Sequence, residues 1–133
     1  MRLAVYLAGP INGATDSEVN DWRSDMKRRL LGADAVDPAA RDYRGLEDAN
    51  VRAIVEDDKA EIDRCDVVIA FCPKPSVGTS MEVLYAWERG KTIVIFAPPG
   101  APVSPWLRYH SHFISSYPSE VAGVVYSESV RRG

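Results

Sequence analysis

The chain has 133 residues, of which 46% are hydrophobic and 26% are charged, and its formal net charge is -3. This length and composition predict one globular domain, residues 1–133, with a core that needs no disulfide or metal support. The acidic balance argues against binding of a nucleic-acid polymer, because its phosphate backbone requires a basic protein surface. Any nucleotide ligand should therefore be a small molecule.

The sequence gives no signal for a cofactor, a metal or a membrane anchor. His110 and His112 have no Cys or acidic partners nearby that would complete a zinc site. Cys65 and Cys72 form no CxxC pair, so both are expected to be reduced, half-buried thiols. The apolar run at residues 3–8 is too short to span a bilayer, and no cleavage pattern follows it. We expect a cytoplasmic protein without a metal or redox cofactor.

Short apolar runs alternate with amphipathic stretches, which predicts an α/β fold: a Rossmann-like or flavodoxin-like three-layer sandwich with a five-stranded, mostly parallel sheet. Strand one covers residues 2–8. A helix capped by Asp16 or Ser17 follows and is stopped by Gly32. Its buried stripe is formed by Val19, Trp22, Met26 and Leu30. Residues 33–36 form a weak strand two.

A polar, irregular stretch at residues 38–50 is expected to form a flap over the pocket. A helix is predicted over residues 46–64. The remaining predicted elements are strand three (67–71), a helix that contains Glu82 and ends near Gly90, strand four (92–96), a proline-rich loop (97–105), strand five (112–117) and a terminal helix opened by Pro118 that carries Val121, Val124 and Val125 inward.

Glu82 follows a buried strand and a Gly-containing turn, which places it in the first turn of a helix at the carboxyl edge of the sheet. Open α/β sheets bind ligands at this edge. A carboxylate there can act as a nucleophile. Thr79 and Glu82 also have the spacing of a capping box, in which case Glu82 would only stabilise the helix start.

Asp58 lies in the apolar face of the predicted helix over residues 46–64. That face is formed by Val51, Ile54, Val55 and Ile62. An acid in such a face is costly unless it is hydrogen-bonded, so Asp58 is expected to reach into a polar cavity. The alternative is a buried Asp satisfied by nearby backbone groups. Asp57 and Glu61 fall off the stripe and are expected to be solvated.

Right-handed crossovers bring the turns after strands one, three and four to one edge of the sheet. That edge collects Tyr6, Gly9, Asn12, Ser76, Glu82 and the proline-rich loop. The turn at residues 9–13 reads GPING, which is neither GxGxxG nor a Walker A sequence, so it is a weak dinucleotide signal.

Several segments, in this order along the chain, resemble the nucleoside 2-deoxyribosyltransferase superfamily. They are Val5-Tyr6-Leu7-Ala8-Gly9-Pro10, the helix with Asp58, Cys65-Asp66-Val67-Val68, Gly78-Thr79-x-x-Glu82 with Tyr85-Ala86, and Gly90-Lys91. The resemblance implies that Glu82 attacks the anomeric carbon of a nucleoside, that Tyr6 orients Glu82, and that Asp58 assists protonation of the departing base. One nucleophilic carboxylate and one acid also suit the chemistry of glycosidic cleavage.

The superfamily contains transferases, which pass deoxyribose to another base, and nucleotide N-glycosidases, which pass it to water. Transferases carry Asp six residues before the nucleophile and receive Asn from a neighbouring subunit; here these positions hold Ser76 and Ser104. Two serines resemble the nucleoside 5′-monophosphate N-glycosidase branch, since a hydroxyl can donate to a phosphate that Asp would repel. Either serine could instead be an ordinary turn or loop residue.

One position departs from that branch: its hydrolases carry Arg in the first turn where this chain has Asn12. The charge partner of a phosphate would then come from elsewhere, and the candidates are Arg41, Arg44 and Arg108.

The sequence thus predicts an N-glycosidase that acts on a (deoxy)nucleoside 5′-monophosphate through a covalent intermediate on Glu82. Its alternatives are a 2-deoxyribosyltransferase and, third, a non-catalytic nucleotide-binding sensor. The partner is a small nucleotide or nucleoside, and the resemblance implies at least a homodimer in which Ser104 serves the neighbouring site. The predicted catalytic residues are Glu82, Asp58 and Tyr6, and the predicted substrate-binding residues are Gly9, Pro10, Ile11, Asn12, Ser76, Gly78 and Ser104.

Overall fold

A five-stranded parallel sheet lies between two layers of helices, as the alternating sequence pattern predicts. The computed structural model describes residues 2–133. The elements in chain order are β1 (Ala4–Ala8), α1 (Asp16–Arg29), β2 (Asp34–Val36), α2 (Val51–Asp63), β3 (Val67–Phe71), α3 (Val77–Glu88), β4 (Thr92–Phe96), α4 (Pro105–Tyr109), β5 (Phe113–Ser115) and α5 (Pro118–Arg132). Short 3-10 turns at Pro38–Ala40 and Glu47–Ala49 lie between β2 and α2.

The strand order is β2-β1-β3-β4-β5, the flavodoxin-like order, and every ladder is parallel. The central strands β3 and β4 read VVIAF and TIVIF, the continuous apolar runs that a sheet covered on both faces requires. The chain leaves β1 toward β2 on one side and returns to β3 on the other. The carboxyl ends of β1 and β3 therefore form the topological switch point at which such sheets bind ligands.

Successive side chains of β1 point to opposite faces of the sheet, because a strand has a period of two. Val5 and Leu7 join the core formed with α1 and α5. Tyr6 and Ala8 join the core on the other face, which contains Ile62 of α2 together with residues of α3. Because of this alternation, the side chain of Tyr6 lies on the face of the sheet that α2 and α3 cover.

Several predicted boundaries are corrected by the structure. Helix α1 is capped by Thr15, not by Asp16 or Ser17, and Glu18 completes a capping box there with its carboxylate 2.9 Å from the Thr15 backbone nitrogen. Helix α2 begins at Val51 instead of residue 46, since a 3-10 turn precedes it.

Helix α3 begins at Val77, with Ser76 as its N-cap. Thr79 therefore lies inside the helix, and Glu82 lies in the second turn. The predicted capping box of Thr79 with Glu82 is wrong, and the carboxylate of Glu82 is left free for another partner.

Two further expectations need correction. The proline-rich loop ends in the short helix α4, whose first turn is capped by Ser104 through a bond from the Trp106 backbone N–H at 3.2 Å. Cys65 and Cys72 are free but buried, where half-buried thiols were expected. None of the helices within residues 2–133 is both long enough and apolar enough to cross a membrane.

The amino edge of the sheet is fastened by a polar cluster that holds α5. Glu128 is 7% exposed and accepts from the Thr92 hydroxyl at 3.3 Å and from Nε of Arg132 at 2.9 Å. Arg132 also lies 3.4 Å from Asp66, which accepts from the backbone N–H of Ala4 at 2.9 Å. Two carboxylates, those of Glu128 and Asp66, thus join α5 to the starts of β4 and β3.

Replacement of Glu128 by Ala should lower the free energy of unfolding by about 2 kcal/mol, because Thr92 and Arg132 lose a shielded partner. Urea unfolding followed by circular dichroism measures the change. Arg131→Ala is the matched control: Arg131 contacts the same carboxylate, but its side chain is 68% exposed, so its removal should cost less than about 0.5 kcal/mol. Equal losses in the two variants would contradict the assignment of the cluster.

Candidate active site

A cavity of about 780 Å³ opens at the carboxyl ends of β1 and β3, between the flap and the helices α2 and α3. Its size is that of a small-molecule site. The turn after β1 supplies one wall, with the predicted binding residues Gly9, Pro10, Ile11 and Asn12. The segment that leads into α3 and the first turn of that helix supply a second wall, with Ser76 and Gly78.

Three predicted residues from three different elements meet at this cavity: Asp58 and Glu82 line it, and Tyr6, which is fully buried and outside the lining, contacts Glu82. Tyr6 comes from the middle of β1, Asp58 from α2 and Glu82 from α3. The Tyr6 hydroxyl donates a hydrogen bond to Oε2 of Glu82. Asp58 and Glu82 line the cavity and are close enough for each to affect the ionisation of the other. The site therefore joins a phenol donor to two neighbouring carboxyl groups.

The ionisation of these groups is dominated by burial. Burial, aided by the negative charge of Asp58, raises the pKa of Glu82 to about 8, although Glu82 keeps some solvent exposure through the cavity. Burial also raises the pKa of Asp58, and hydrogen bonding and charge from Arg41 oppose this rise. The pKa of Tyr6 is raised by burial and by the charge of Glu82, so Tyr6 remains a neutral donor. At neutral pH the two carboxyl groups share a proton.

Arg23 lies behind the first wall of the cavity and was missed from the sequence. It is 1% exposed and donates to the carbonyl oxygens of Val19, Leu7 and Gly9 at 2.7, 3.2 and 3.1 Å. Its Nε lies 3.3 Å from Asp37. Arg23 occupies position i+4 from Val19 in the apolar stripe of α1, so the reasoning that singled out Asp58 would have found it too.

The structure gives Gly9 a packing role in addition to its place in the wall. A Cβ atom at this position would lie 2.8 Å from the ring of Trp22, closer than real contacts allow. The tight approach of the turn to α1 therefore requires glycine.

Arg41 reaches the cavity from the flap, whereas Arg44 and Arg108, the other cations considered for a phosphate, do not line it. Nη2 of Arg41 lies 3.2 Å from Oδ1 of Asp58 and also bonds to Glu61. The expectation that Glu61 is solvated is wrong, because this ion pair draws its side chain inward to 18% exposure.

Three residues of the apolar face of α2, Ile54, Val55 and Ile62, line the cavity, and of these only Ile62 also belongs to the core. Val51 and Val55 are 61% and 43% exposed, and Ile62 at the other end of the face is buried. Asp58 interrupts this face within the cavity wall, which is the placement expected for it.

The wall at the start of α3 contains a cation that the sequence reasoning did not single out. Lys74 lines the cavity, and its amino group lies 3.2 Å from Glu18. Ser76 caps α3, and its hydroxyl pairs with that of Thr79 at 2.9 Å. Backbone N–H groups at the start of a helix favour an anion, and Lys74 adds a positive charge to that end.

Ser104 does not belong to the cavity of its own chain. Its predicted contribution concerns a neighbouring subunit and stays a prediction. Within residues 2–133, no cluster of three or more His, Cys, Asp or Glu side chains has an arrangement that could hold a metal ion.

Comparison with known protein families identifies the family of this chain. The sequence model described as nucleoside 2-deoxyribosyltransferase matches residues 5–126. No curated protein matches the sequence significantly.

Solved structures share the fold at low sequence identity. A 2-deoxyribosyltransferase from Bacillus psychrosaccharolyticus superposes with a TM-score of 0.73 at 18% identity, over 90% of each chain. The CMP N-glycosidase BcmB of Clostridium botulinum gives 0.61 at 21% identity, over 92% of this chain and 97% of that one. A molybdenum cofactor binding protein from Rippkaea orientalis gives 0.62 at 16%, over 96% and 97%. Likeness at these identities shows the fold.

Replacement of Glu82 by Gln should stabilise the protein in a pH-dependent way. The folded pKa of Glu82, about 8, exceeds its ordinary value of 4.5, so the stability of the native protein falls as the pH rises from 4.5 to 8. Gln cannot ionise, so the variant should equal the native protein near pH 4 and exceed it by several kcal/mol above pH 8, at about 1.4 kcal/mol for each pKa unit.

Thermal and urea unfolding at pH 4, 6, 8 and 9 measure this difference. Glu88→Gln is the control, since Glu88 also lines the cavity but is exposed. If the difference in free energy of unfolding between the variant and the native protein stays constant with pH, then ionisation of Glu82 does not destabilise the protein.

Proposed function

The chain belongs to the nucleoside 2-deoxyribosyltransferase family, and from that premise we propose that it hydrolyses the N-glycosidic bond of a (deoxy)nucleoside 5′-monophosphate. The enzymes of this superfamily are deoxyribosyltransferases and N-glycosidases. The observation that carries the proposal is that Asp58 and Glu82 line one cavity together with the start of α3, while the buried Tyr6 donates a hydrogen bond to Glu82. The products would be the free base and a sugar phosphate.

In the proposed mechanism the carboxylate of Glu82 forms a bond to the anomeric carbon while the bond from that carbon to the base breaks. Asp58 gives its proton to the departing base, so the base leaves without a full negative charge. The Tyr6 hydroxyl, which donates to Glu82, fixes the orientation of the nucleophile. Water then attacks the glycosyl ester, Asp58 recovers a proton from that water, and Glu82 is released as a carboxylate.

The cavity wall at the start of α3 suits a phosphate. The N-terminus of α3 presents backbone N–H groups, the Ser76 hydroxyl caps the helix there, and Lys74 adds a cation. This set offers the charge partner that Asn12 does not provide. The similar fold of a CMP N-glycosidase is compatible with the proposal.

Base exchange on 2′-deoxyribonucleosides is the second candidate function. The description of the matching family and the 2-deoxyribosyltransferase among the similar folds favour it. In that case a second base, instead of water, would attack the ester on Glu82. The two functions share every step up to this intermediate.

A panel of nucleosides and their 5′-monophosphates, incubated with and without a second free base, tests the proposal by separation of the products. Monophosphates should be cleaved with a kcat/KM at least about tenfold above that of the matching nucleosides, without any added base, because the phosphate adds binding energy. Ser76→Asp should abolish this preference through charge repulsion, whereas Ser76→Thr, which keeps the hydroxyl, should retain it.

Glu82→Ala is the control for the nucleophile, and its turnover should fall by several orders of magnitude. Preference for nucleosides, with product formed only when an acceptor base is present, would contradict hydrolysis and support the transferase.

We also propose that the working unit is a homodimer in which Ser104 reaches the neighbouring cavity. Ser104 does not line its own cavity and lies at the start of a helix whose Trp106 and Tyr109 are each 72% exposed. At the cavity mouth Val77 and Met81 are also exposed. Exposed apolar side chains of this size are typical of a surface that is covered in an assembly.

Mixing two inactive variants tests this proposal. Ser104→Asp should repel the phosphate, and Glu82→Ala lacks the nucleophile. If Ser104 acts across the interface, hybrid dimers contain one intact site, so mixing after unfolding and refolding should restore about a quarter of the native activity. Light scattering should show a dimer. No recovery in the mixture, or a fully active monomer, would contradict the proposal.

A further inference from the structure

Arg41 extends from the flap, residues 38–50, to the acidic side of α2. Its Nη2 lies 3.2 Å from Asp58 and bonds to Glu61, and its Nη1 lies 4.0 Å from Asp57. The side chains of Asp58 and Glu61 are only 22% and 18% exposed. The guanidinium of Arg41 therefore contacts two partly buried carboxylates, those of Asp58 and Glu61, and lies 4.0 Å from that of Asp57.

Side-chain contacts hold the chain on both sides of Arg41. Before it, Asp37 lies 3.3 Å from Nε of the buried Arg23. After it, Arg44 donates to the carbonyl oxygen of Ala14 at 3.1 Å. A change of partner by Arg41 therefore needs only rotation of its long side chain between two carboxylates that are three residues apart on α2.

The groups around Asp58 determine whether Asp58 or Glu82 carries the shared proton. Arg41 faces Asp58 from the flap, Glu82 from α3 and Tyr6 from β1, while Glu61 lies one turn along the same helix. The positive charge of Arg41 favours the ionised form of Asp58, so the shared proton stays on Glu82, whose pKa is raised to about 8. Glycosidic cleavage needs the opposite arrangement, with Glu82 ionised and Asp58 protonated.

We propose that Arg41 is a positioning residue that determines which carboxyl group of the pair holds the proton. In the empty cavity Arg41 keeps Asp58 ionised. When a base occupies the space beside Asp58, Arg41 passes its hydrogen bond wholly to Glu61, and the proton moves from Glu82 to Asp58. Glu82 is then the nucleophile, and Asp58 gives that proton to the departing base. This inference rests on the proposed function.

The first test needs no turnover: the side-chain carboxyl carbons of Asp58 and Glu82 are titrated by NMR in the substrate-free protein. Arg41→Met should raise the pKa of Asp58 by about one unit, because a cation in contact is lost. Arg64→Met is the matched control, since Arg64 lies 4.0 Å from Glu61 on the exposed side, and it should leave Asp58 unchanged. An unchanged Asp58 in Arg41→Met overturns the proposal.

The second test is the pH dependence of cleavage of a nucleoside 5′-monophosphate. In Arg41→Met the alkaline limb of kcat/KM should move up by about one pH unit, since kcat/KM reports the free enzyme. The alkaline limb of kcat should stay in place, because Arg41 has already left Asp58 in the complex. A shift of both limbs would overturn the release step.

A different result would give Arg41 another role. If Arg41→Met raises KM for monophosphates but not for nucleosides and neither limb moves, then Arg41 binds the phosphate and the proposal is wrong. If the native protein cleaves neither nucleotides nor nucleosides, the proposed function fails, while the titration still decides whether Arg41 controls Asp58.

Discussion

Two carboxyl groups buried beside each other are the constraint on which the rest of the site depends. Burial raises the cost of ionising both groups, the charge of Asp58 adds to that cost for Glu82, and a hydrogen bond with Glu82 reduces it for Asp58, so a single shared proton is the favourable state near neutral pH. The hydrogen bond from the Tyr6 hydroxyl offsets part of the cost of ionising Glu82. Because these partners come from β1, α2 and α3, the packing of three elements is needed to hold the pair together.

Two arginines balance this charge in different ways. Arg23 is fixed by three backbone carbonyl groups and by Asp37, so it supplies a constant positive field behind the turn after β1. Arg41 comes from the flap and divides its bonds between Asp58 and Glu61, and its proposed release of Asp58 would move it. A fixed cation stabilises the site, whereas a mobile one can select between its protonation states. The flap therefore bears on the chemistry as well as on access to the cavity.

The sequence predicts the layers and the mostly parallel sheet because those follow from period and apolar runs, which are local. It also places Asp58 correctly, since an acid within an apolar face has few explanations. It fails at Glu82 in detail: the Thr79 spacing suggests a capping box, but Ser76 begins the helix earlier. Glu61 is misplaced for another reason, because its partner Arg41 lies in an irregular segment whose position depends on tertiary contacts.

The buried carboxylates at the two edges of the sheet have different surroundings. At the amino edge Glu128 is matched by Arg132 and Thr92, which leaves its charge satisfied and fastens α5. At the carboxyl edge Glu82 has a neutral donor and a competing acid, so its charge is left partly unsatisfied. A destabilised carboxylate is a useful nucleophile only if the scaffold does not relax around it. The satisfied cluster at the opposite edge, together with strands buried on both faces, supplies that rigidity.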